Sequence, residues 1–116
     1  MVCNRGEIWL ANLNPSKKTN EVAKTRPVLV LQNNELNHSA YPTTIILPLS
    51  SDLIDDAQPL RYRITSRQDL KKDSDILIAH IRSVDNTRFI QKLASLSNDE
   101  LKDIKELIDE VLSWEF

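Results

Sequence analysis

The sequence predicts a mainly β protein, in which a small, strongly bent sheet or barrel is followed by one helix. Short apolar or alternating segments, separated by polar loops, recur from residue 7 to residue 93, as is typical of strands. Beyond residue 97 the apolar residues recur at helical spacing instead. Five or six short strands and one terminal helix favour this architecture.

The first two predicted strands flank a polar loop. Residues 7–13 are apolar on both faces, which is expected inside a closed barrel or a two-layer packing. Residues 14–21 are rich in turn formers and basic at the tip of the loop. Residues 28–32 form the second strand, and residues 33–42 form another polar loop.

The later strands are predicted from periodicity and from prolines. Residues 43–49 form the third strand, which Pro48 closes, and residues 60–65 alternate so that Arg61 and Arg63 share one face. Residues 75–84 read as one continuous fifth strand. Residues 89–93 fit either a strand or part of a turn.

The terminal helix has a clear start signal. Ser97 precedes Glu100 by three residues, which is the spacing of a capping box. The apolar residues that follow recur at helical spacing: Leu101, Ile104, Leu107, Ile108, Val111 and Leu112. The pattern predicts one amphipathic helix lying on the sheet.

Composition narrows the class of protein. A chain of 116 residues corresponds to one domain, residues 1–116, and neither a signal-peptide core nor a membrane span is visible. Cys3 is alone, so we expect no disulfide and a soluble, cytoplasmic protein. Gly6 is the only glycine, which excludes glycine-rich phosphate loops and nucleophile elbows. Two histidines without zinc-ligand spacing argue against a metal site, so we expect no metal and no cofactor.

The net charge of −2 is unevenly distributed. Residues 1–30 carry +3 and residues 60–92 carry +4, whereas residues 31–59 carry −4 and residues 93–116 carry −5. The acidic total argues weakly against nonspecific binding of duplex nucleic acid. A local basic groove forms if the two positive blocks converge in the fold.

Arg26 stands where strand geometry can hold it. Pro27 favours an extended backbone at Arg26 and is well tolerated at the start of a strand. Arginine cannot accept a proton in a protein, but its planar fork of donors suits a phosphate. The first hypothesis is a rigidly placed phosphate ligand; the alternative is a surface arginine beside a core strand.

Several ordered motifs resemble the MazF/PemK family of bacterial toxins along nearly the whole chain. They are Arg-Gly-Glu-Ile-Trp-Leu at 5–10, Asn14-Pro15 with Glu21 downstream, Lys-Thr-Arg-Pro-Val-Leu-Val at 24–30, Ile-Ile-Leu-Pro-Leu-Ser-Ser at 45–51 and Ile-Arg-Ser-Val-Asp at 81–85. The resemblance implies an SH3-like barrel with a long, strongly twisted antiparallel sheet and a C-terminal amphipathic helix, assembled as a symmetric homodimer.

The resemblance also implies an activity. It predicts a metal-independent, sequence-specific endoribonuclease toxin that cuts single-stranded RNA, usually mRNA, and is neutralised by a cognate antitoxin. The arginine of the Arg-Pro tract and a hydroxyl residue that ends the Pro-Leu segment serve catalysis in the family. These positions are Arg26 and Ser50 here.

The chain departs from the family pattern at three places. The first loop, Lys-Thr-Asn-Glu at 18–21, has no glycine and is one residue longer, which bears on cleavage specificity. Ser50 replaces a frequent threonine and loses the methyl that stiffens the rotamer. Ile78 and Ala79 occupy the region where some members carry a catalytic arginine and acid, and His80 replaces a common glutamine.

Cleavage of RNA without a metal uses the 2′-hydroxyl of the substrate as the nucleophile. The protein must align this group, stabilise negative charge and manage protons. Arg26 fits charge stabilisation, and Ser50 fits a hydrogen bond to the scissile phosphate or help with proton transfer. The alternative for Ser50 is a strand-end hydroxyl that satisfies local backbone. His80 is either a hydrogen-bonded structural group on a strand or a titrating acid or base.

Eight further residues are predicted to contact RNA: Arg5, Glu21, Lys24, Asn33, Ser51, His80, Arg82 and Arg88. The arginines suit phosphate or base contacts that position the strand. For Arg5, Arg82 and Arg88 the alternative is an ion pair with Asp85 or Glu7. Trp9 is expected in the core rather than as a stacking platform.

Two other functions remain open from the sequence. The same barrel occurs in gyrase-poisoning relatives, which are non-catalytic and bind a protein target. The altered first loop is also compatible with an RNA-binding module that has lost activity. Retention of both Arg26 and Ser50 favours the nuclease.

Overall fold

The computed structural model describes residues 2–13 and 25–115 of the chain. Its strands, in chain order, are β1 (Glu7–Asn12), β2 (Thr25–Val30), β3 (Thr43–Ser50), β4 (Arg61–Ile64), β5 (Ser74–Leu77), β6 (Arg82–Asp85) and β7 (Phe89–Ser95). The helices are α1 (Asn34–Asn37) and α2 (Asn98–Val111), and a 3-10 turn covers Asn86–Arg88. None of the helices in these two described stretches has the length and apolarity needed to cross a membrane.

One antiparallel sheet contains all seven of these strands. Its order is β4-β5-β3-β2-β1-β7, with β6 paired to β3 beside β5. The prediction of a mainly β protein with a terminal helix is therefore confirmed. The long strand β3 pairs with β2 along one edge and with β6 and then β5 along the other.

Both faces of the sheet are covered by apolar side chains. On one face Ile8, Leu29 and Leu47 pack in a cluster that includes Ile104 and Leu107 of α2. On the other face lies a second cluster: Cys3, Trp9, Ala11, Val28, Val30, Ile46, Val84 and Phe89. The expected double-sided burial of β1 is confirmed, because its alternate residues enter the two clusters.

Trp9 belongs to the core, as predicted. Its side chain is buried and meets Phe89 edge to face, with ring centroids 6.0 Å apart. The indole Nε1–H donates to the Glu7 carboxylate at 2.9 Å, so its polar atom is satisfied. Trp9 is therefore not available for stacking on a base.

Helix α2 begins with the predicted capping box. The Glu100 amide donates to Ser97 Oγ at 3.1 Å, and the Ser97 amide donates to Glu100 Oε1 at 2.9 Å. Arg67 donates two hydrogen bonds to the same Glu100 carboxylate, of 2.6 and 2.8 Å. Since Arg67 lies between β4 and β5, this pair ties the helix start to the sheet.

Gly6 occupies a position that requires glycine. Its φ of +92° lies in the left-handed region, where residues with a Cβ are strained. A Cβ at this position would also lie 3.0 Å from Leu101 Cδ1 of α2. The turn before β1 and the first turn of α2 therefore pack closely because residue 6 has no side chain.

The prediction of one continuous strand over residues 75–84 is wrong. The chain forms β5 and β6 with a turn at residues 78–79 between them. On β3, Leu49 lies opposite Ile76 and Ile46 lies opposite Arg82. An advance of three residues along β3 therefore corresponds to an advance of six residues along this segment. The extra residues form a bulge opposite Leu47 and Pro48, and Pro48 has no N–H to donate to a partner strand. Within the bulge, Ile78 is buried and its amide donates to the Leu60 carbonyl at 2.9 Å.

Three smaller differences concern boundaries. Strand β2 runs from Thr25 to Val30, not over residues 28–32, so Arg26 lies inside the strand. The loop predicted over residues 33–42 contains the single turn α1, which Asn33 caps. The segment left open between strand and turn at residues 89–93 is the strand β7.

Candidate functional site

A cleft of about 420 Å³ lies where the ends of β2 and β3 meet the segment before β5. Arg26 and Pro27 line it from β2, and Leu49 and Ser50 line it from β3. The segment before β5 supplies residues 69–72, and the rest of the wall comes from Thr25, Ser51, Asp52, Ser74 at the start of β5 and Leu93 of β7. The cleft therefore joins parts of the chain that are distant in sequence.

Strand register brings Arg26 and Ser50 to this cleft. Val28 pairs with Pro48 and Val30 with Ile46 in the β2–β3 ladder. The ladder ends at the Val28–Pro48 pair, and Arg26 and Ser50 each lie two residues beyond it, at the same end of the two strands. Arg26 is exposed and Ser50 is half-buried, so neither is closed off from a ligand.

The Ser50 hydroxyl already accepts one hydrogen bond. The Asp52 amide donates to Ser50 Oγ at 3.1 Å, which is the local backbone contact considered as an alternative role. A hydroxyl that accepts in this way still has its own hydrogen to donate. Ser50 can thus satisfy the backbone and donate to a ligand oxygen in the cleft.

Two cleft residues, Lys71 and Lys72, were not identified from the sequence. Both are exposed and line the cleft beside Arg26. They belong to the second positive block and Arg26 belongs to the first, so the two blocks meet at this cleft, where Asp52 and Asp69 also lie. Only the block charge signalled this, because spacing alone does not show which lysines of a loop face a cleft.

A buried carboxylate lies directly behind the Ser50 strand end. Asp75 of β5 pairs with Ser50 in the β3–β5 ladder and is 1% exposed. Its Oδ1 accepts from Arg63 Nε at 2.6 Å, and its Oδ2 accepts from Arg61 Nη1 at 3.1 Å. The prediction that both arginines share one face of β4 is confirmed.

Asp75 is held in its charged form by these donors. Burial alone would raise the pKa of its carboxyl group, but hydrogen bonds from Arg63, the Ile54 amide and Arg61 outweigh it and lower the pKa. Sequence reasoning did not single out Asp75. The available signal was an acid in an apolar strand that follows an alternating pair of arginines.

The predicted RNA-contacting residues do not all gather at this cleft. Ser51 lines it, whereas Glu21 and Lys24 lie outside the described residues. Arg5 is exposed and donates through Nε to the Leu31 carbonyl at 2.9 Å. Asn33 caps α1, with its side-chain oxygen accepting from the Leu36 amide at 3.0 Å.

His80, Arg82 and Arg88 lie along β6 and the turns beside it. His80 is exposed in the bulge between β5 and β6, so its expected place on a strand is wrong. The ion pairs considered as alternatives for Arg5, Arg82 and Arg88 are not formed with Asp85 or Glu7. Lys92 pairs with Glu7 instead, at 3.3 Å.

Cys3 and the acidic groups add no second reactive centre. Burial, followed by the nearby Glu7 charge, raises the pKa of the Cys3 thiol to about 11, so it is protonated at neutral pH. Within residues 2–13 and 25–115 no three His, Cys, Asp or Glu side chains are grouped as a metal ion would need.

The chain resembles known proteins along most of its length. Residues 4–112 match the model of a family described as the PemK-like, MazF-like toxin of type II toxin–antitoxin systems. The chain is 36% identical over 107 residues to the endoribonuclease MazF of Staphylococcus saprophyticus, covering 90% of this chain and 87% of that protein.

Solved structures show the same fold at lower identity. The Mycobacterium tuberculosis toxin MazF-mt6 matches with a TM-score of 0.76 at 14% identity, covering 95% of this chain and 99% of its own. The MazE-MazF structure (Form-II) from Deinococcus radiodurans matches with a TM-score of 0.74 at 20% identity, covering 99% of each chain. At these identities the likeness concerns the fold.

Proposed function

The chain belongs to the PemK-like, MazF-like toxins of type II toxin–antitoxin systems, and from this we propose that it is an endoribonuclease that cuts single-stranded RNA, chiefly mRNA, at a short sequence without a metal ion. The Staphylococcus saprophyticus relative carries the name endoribonuclease. The observation that supports the same activity here is the cleft shared by Arg26, Ser50 and two lysines.

The reaction proposed for this cleft uses a nucleophile from the substrate. The 2′-oxygen bonds to the adjacent phosphorus as its proton leaves, and the bond from phosphorus to the 5′-oxygen breaks. The 5′-oxygen takes up a proton, which leaves a 2′,3′-cyclic phosphate and a free 5′-hydroxyl. Negative charge on the non-bridging oxygens grows at the transition state, so fixed donors accelerate the step.

Arg26 is proposed to supply the main charge. Its guanidinium is permanently positive and can donate two parallel hydrogen bonds to phosphate oxygens. The β2 backbone fixes the origin of its side chain, because Arg26 pairs with Ala11 of the neighbouring β1. A donor that is already in place needs no rearrangement as charge develops.

Ser50 is proposed to act as a hydrogen-bond donor rather than as a nucleophile. Its oxygen accepts the Asp52 amide, so its hydrogen is free to point at a phosphate oxygen. A covalent serine mechanism needs a base to take the hydroxyl proton, whereas Asp75, its neighbour on β5, is engaged by two arginines. The donor role demands only the hydroxyl and its position.

The partners follow from the family. We propose a homodimer that acts on cytoplasmic mRNA and is inhibited by a cognate antitoxin. Among the similar solved structures are MazE-MazF structures from Deinococcus radiodurans and an endoribonuclease with its cognate antitoxin from a mycobacterial species, the latter at a TM-score of 0.72 and 13% identity.

The test is cleavage of a long unstructured RNA by purified protein in the presence of a chelator. We expect discrete cuts whose 5′ fragments end in a cyclic phosphate and whose 3′ fragments begin with a 5′-hydroxyl. RNA that stays intact while the protein still arrests growth would favour a protein target instead. Tight RNA binding without product would identify an inactive binding module.

A further inference from the structure

The segment that follows Ser50 is held by polar contacts rather than by packing. Residues 51–54 leave β3 without regular structure, and Leu53 and Ile54 are 44% and 54% exposed. Apolar burial therefore contributes little to fixing their conformation. Ser51 begins this segment and Ser50 precedes it, and both residues line the cleft.

Two hydrogen bonds tie the segment to the neighbouring strands, and a third joins the two side chains that form them. The Ile54 amide donates to Asp75 Oδ2 at 2.9 Å. Arg61 Nη1 donates both to that same oxygen, at 3.1 Å, and to the Asp52 carbonyl, at 2.9 Å. One guanidinium nitrogen of β4 thus links the segment to the buried carboxylate of β5.

The same segment orients the Ser50 hydroxyl. The Asp52 amide donates to Ser50 Oγ, and the carbonyl of the same residue is the one that Arg61 holds. Asp75 is also the register partner of Ser50 in the β3–β5 ladder. Whatever fixes Asp52 therefore fixes the hydrogen bond that aims the Ser50 hydroxyl.

We propose that Arg61 and Asp75 are positioning residues for Ser50: together they hold the segment at residues 51–54 so that the Ser50 hydroxyl is aimed into the cleft. This inference rests on the proposed RNA cleavage, and it assigns to β4 and β5 a role in that reaction. Neither side chain touches the substrate. They act through the Asp52 backbone and through the Ile54 amide.

A double-mutant cycle tests this chain of contacts. Arg61→Met removes the donor but keeps an apolar stem of similar length, and Arg63 and the Ile54 amide still satisfy Asp75. We expect kcat to fall by up to about tenfold, the loss expected for removing the Ser50 hydroxyl itself, with KM little changed. In a Ser50→Ala background the same change should have no further effect on kcat.

Arg67→Met is the matched control. Arg67 and Arg61 have equally exposed side chains, at 21%, and each binds a carboxylate. The partner of Arg67 is Glu100 of α2, outside the Ser50 segment. We expect this variant to lose stability while keeping the wild-type kcat, and an equal loss of kcat in both variants would overturn the proposal.

Additive effects in the cycle would also overturn the proposal, because Arg61 would then act independently of Ser50.

Amide hydrogen exchange gives a second measurement that does not depend on activity. In Arg61→Met the Ile54 amide should exchange faster than in wild type, while amides in the β1–β2 ladder stay protected. Unchanged protection at Ile54 contradicts the proposal. If wild type cleaves while the cycle is additive, only this inference fails; if wild type cleaves no RNA, the proposed function fails.

Discussion

Arg26 and Ser50 each stand two residues beyond Val28–Pro48, the last pair of the β2–β3 ladder, and both line one cleft. An antiparallel pair sets the spacing of such residues through backbone geometry rather than through contacts between the side chains. Each side chain therefore remains available for a third group. A phosphodiester between a guanidinium and a hydroxyl donor is the ligand that this arrangement suits.

Replacing Arg26 by alanine should abolish most cleavage. The loss of one preorganised donor at developing charge typically costs about 10²–10³ in rate. Cleavage of a defined single-stranded RNA under single-turnover conditions measures it. Since Arg26 is exposed, the melting temperature should stay near that of wild type. Undiminished cleavage would remove Arg26 from the mechanism.

Arginine chemistry, not charge alone, should matter at this position. Arg26→Lys keeps the positive charge but loses the planar fork, so we expect it to recover only part of the rate. Lys102→Ala on the exposed face of α2 is the control for the loss of one cation in Arg26→Ala. It should cleave at the wild-type rate.

Ser50→Ala should slow cleavage while Ser50→Thr should not. Alanine removes the donor, whereas threonine retains the hydroxyl and adds a methyl group that restricts its rotamer. We expect a loss of about tenfold for alanine, since one hydrogen bond to a charged group contributes about 1.5 kcal/mol. A threonine variant as slow as the alanine variant would show that the hydroxyl is not the group that acts.

The fold was predictable where local signals agree with tertiary packing. The capping box at Ser97 and Glu100 marked the start of α2, and alternation marked β4. The break between β5 and β6 was not predictable, because residues 76–84 remain apolar or alternating through the bulge. The bulge depends on the register of β3, which a single strand sequence does not contain.

The site was predictable only in part. Motif resemblance identified Arg26 and Ser50, and the structure places them in one cleft. Lys71 and Lys72 were missed because their loop carries no motif, and its place beside Arg26 depends on how distant strands pack together. Asp75 was missed because its importance lies in three donors from two other segments, Ile54 after β3 and the arginines of β4.

Lys71 and Lys72 should contribute to RNA binding through charge. The double variant Lys71→Gln/Lys72→Gln should raise KM. The slope of log affinity against log salt concentration should become shallower by about 1.4, the value expected for two phosphate contacts on a single strand. Fluorescence anisotropy with a 2′-deoxy-blocked RNA measures the slope. Lys102→Gln/Lys105→Gln on α2 is the matched control, and an equal change there would mean a general charge effect.

Gly6→Ala should destabilise the protein without altering the cleft. The φ of +92° strains any residue with a Cβ, which costs about 1–3 kcal/mol. Chemical denaturation measures the free energy of unfolding. Adding Leu101→Ala removes the 3.0 Å contact but not the backbone strain. Full recovery in the double variant would show that crowding, and not φ, is the cause.

The Arg67–Glu100 pair should make stability depend on pH in the acid range. The hydrogen bonds from Arg67 lower the pKa of Glu100 below its ordinary value of 4.5. The unfolded chain therefore binds a proton at this group more readily than the folded chain. The pair's stabilisation is complete above pH 4.5 and is lost as the pH falls through the lower pKa of the folded state.

Glu100→Gln isolates this effect, because glutamine can keep the capping-box contact with the Ser97 amide while losing the charge. At pH 7 the variant should be less stable than wild type by about 2 kcal/mol, the usual contribution of hydrogen bonds to a charged group. The difference should shrink below pH 4.5, where wild type loses the same charge. Denaturation at several pH values measures this, with Glu106→Gln on the exposed face of α2 as the control. A difference that stays constant down to pH 2 would mean that the carboxylate charge does not stabilise the fold.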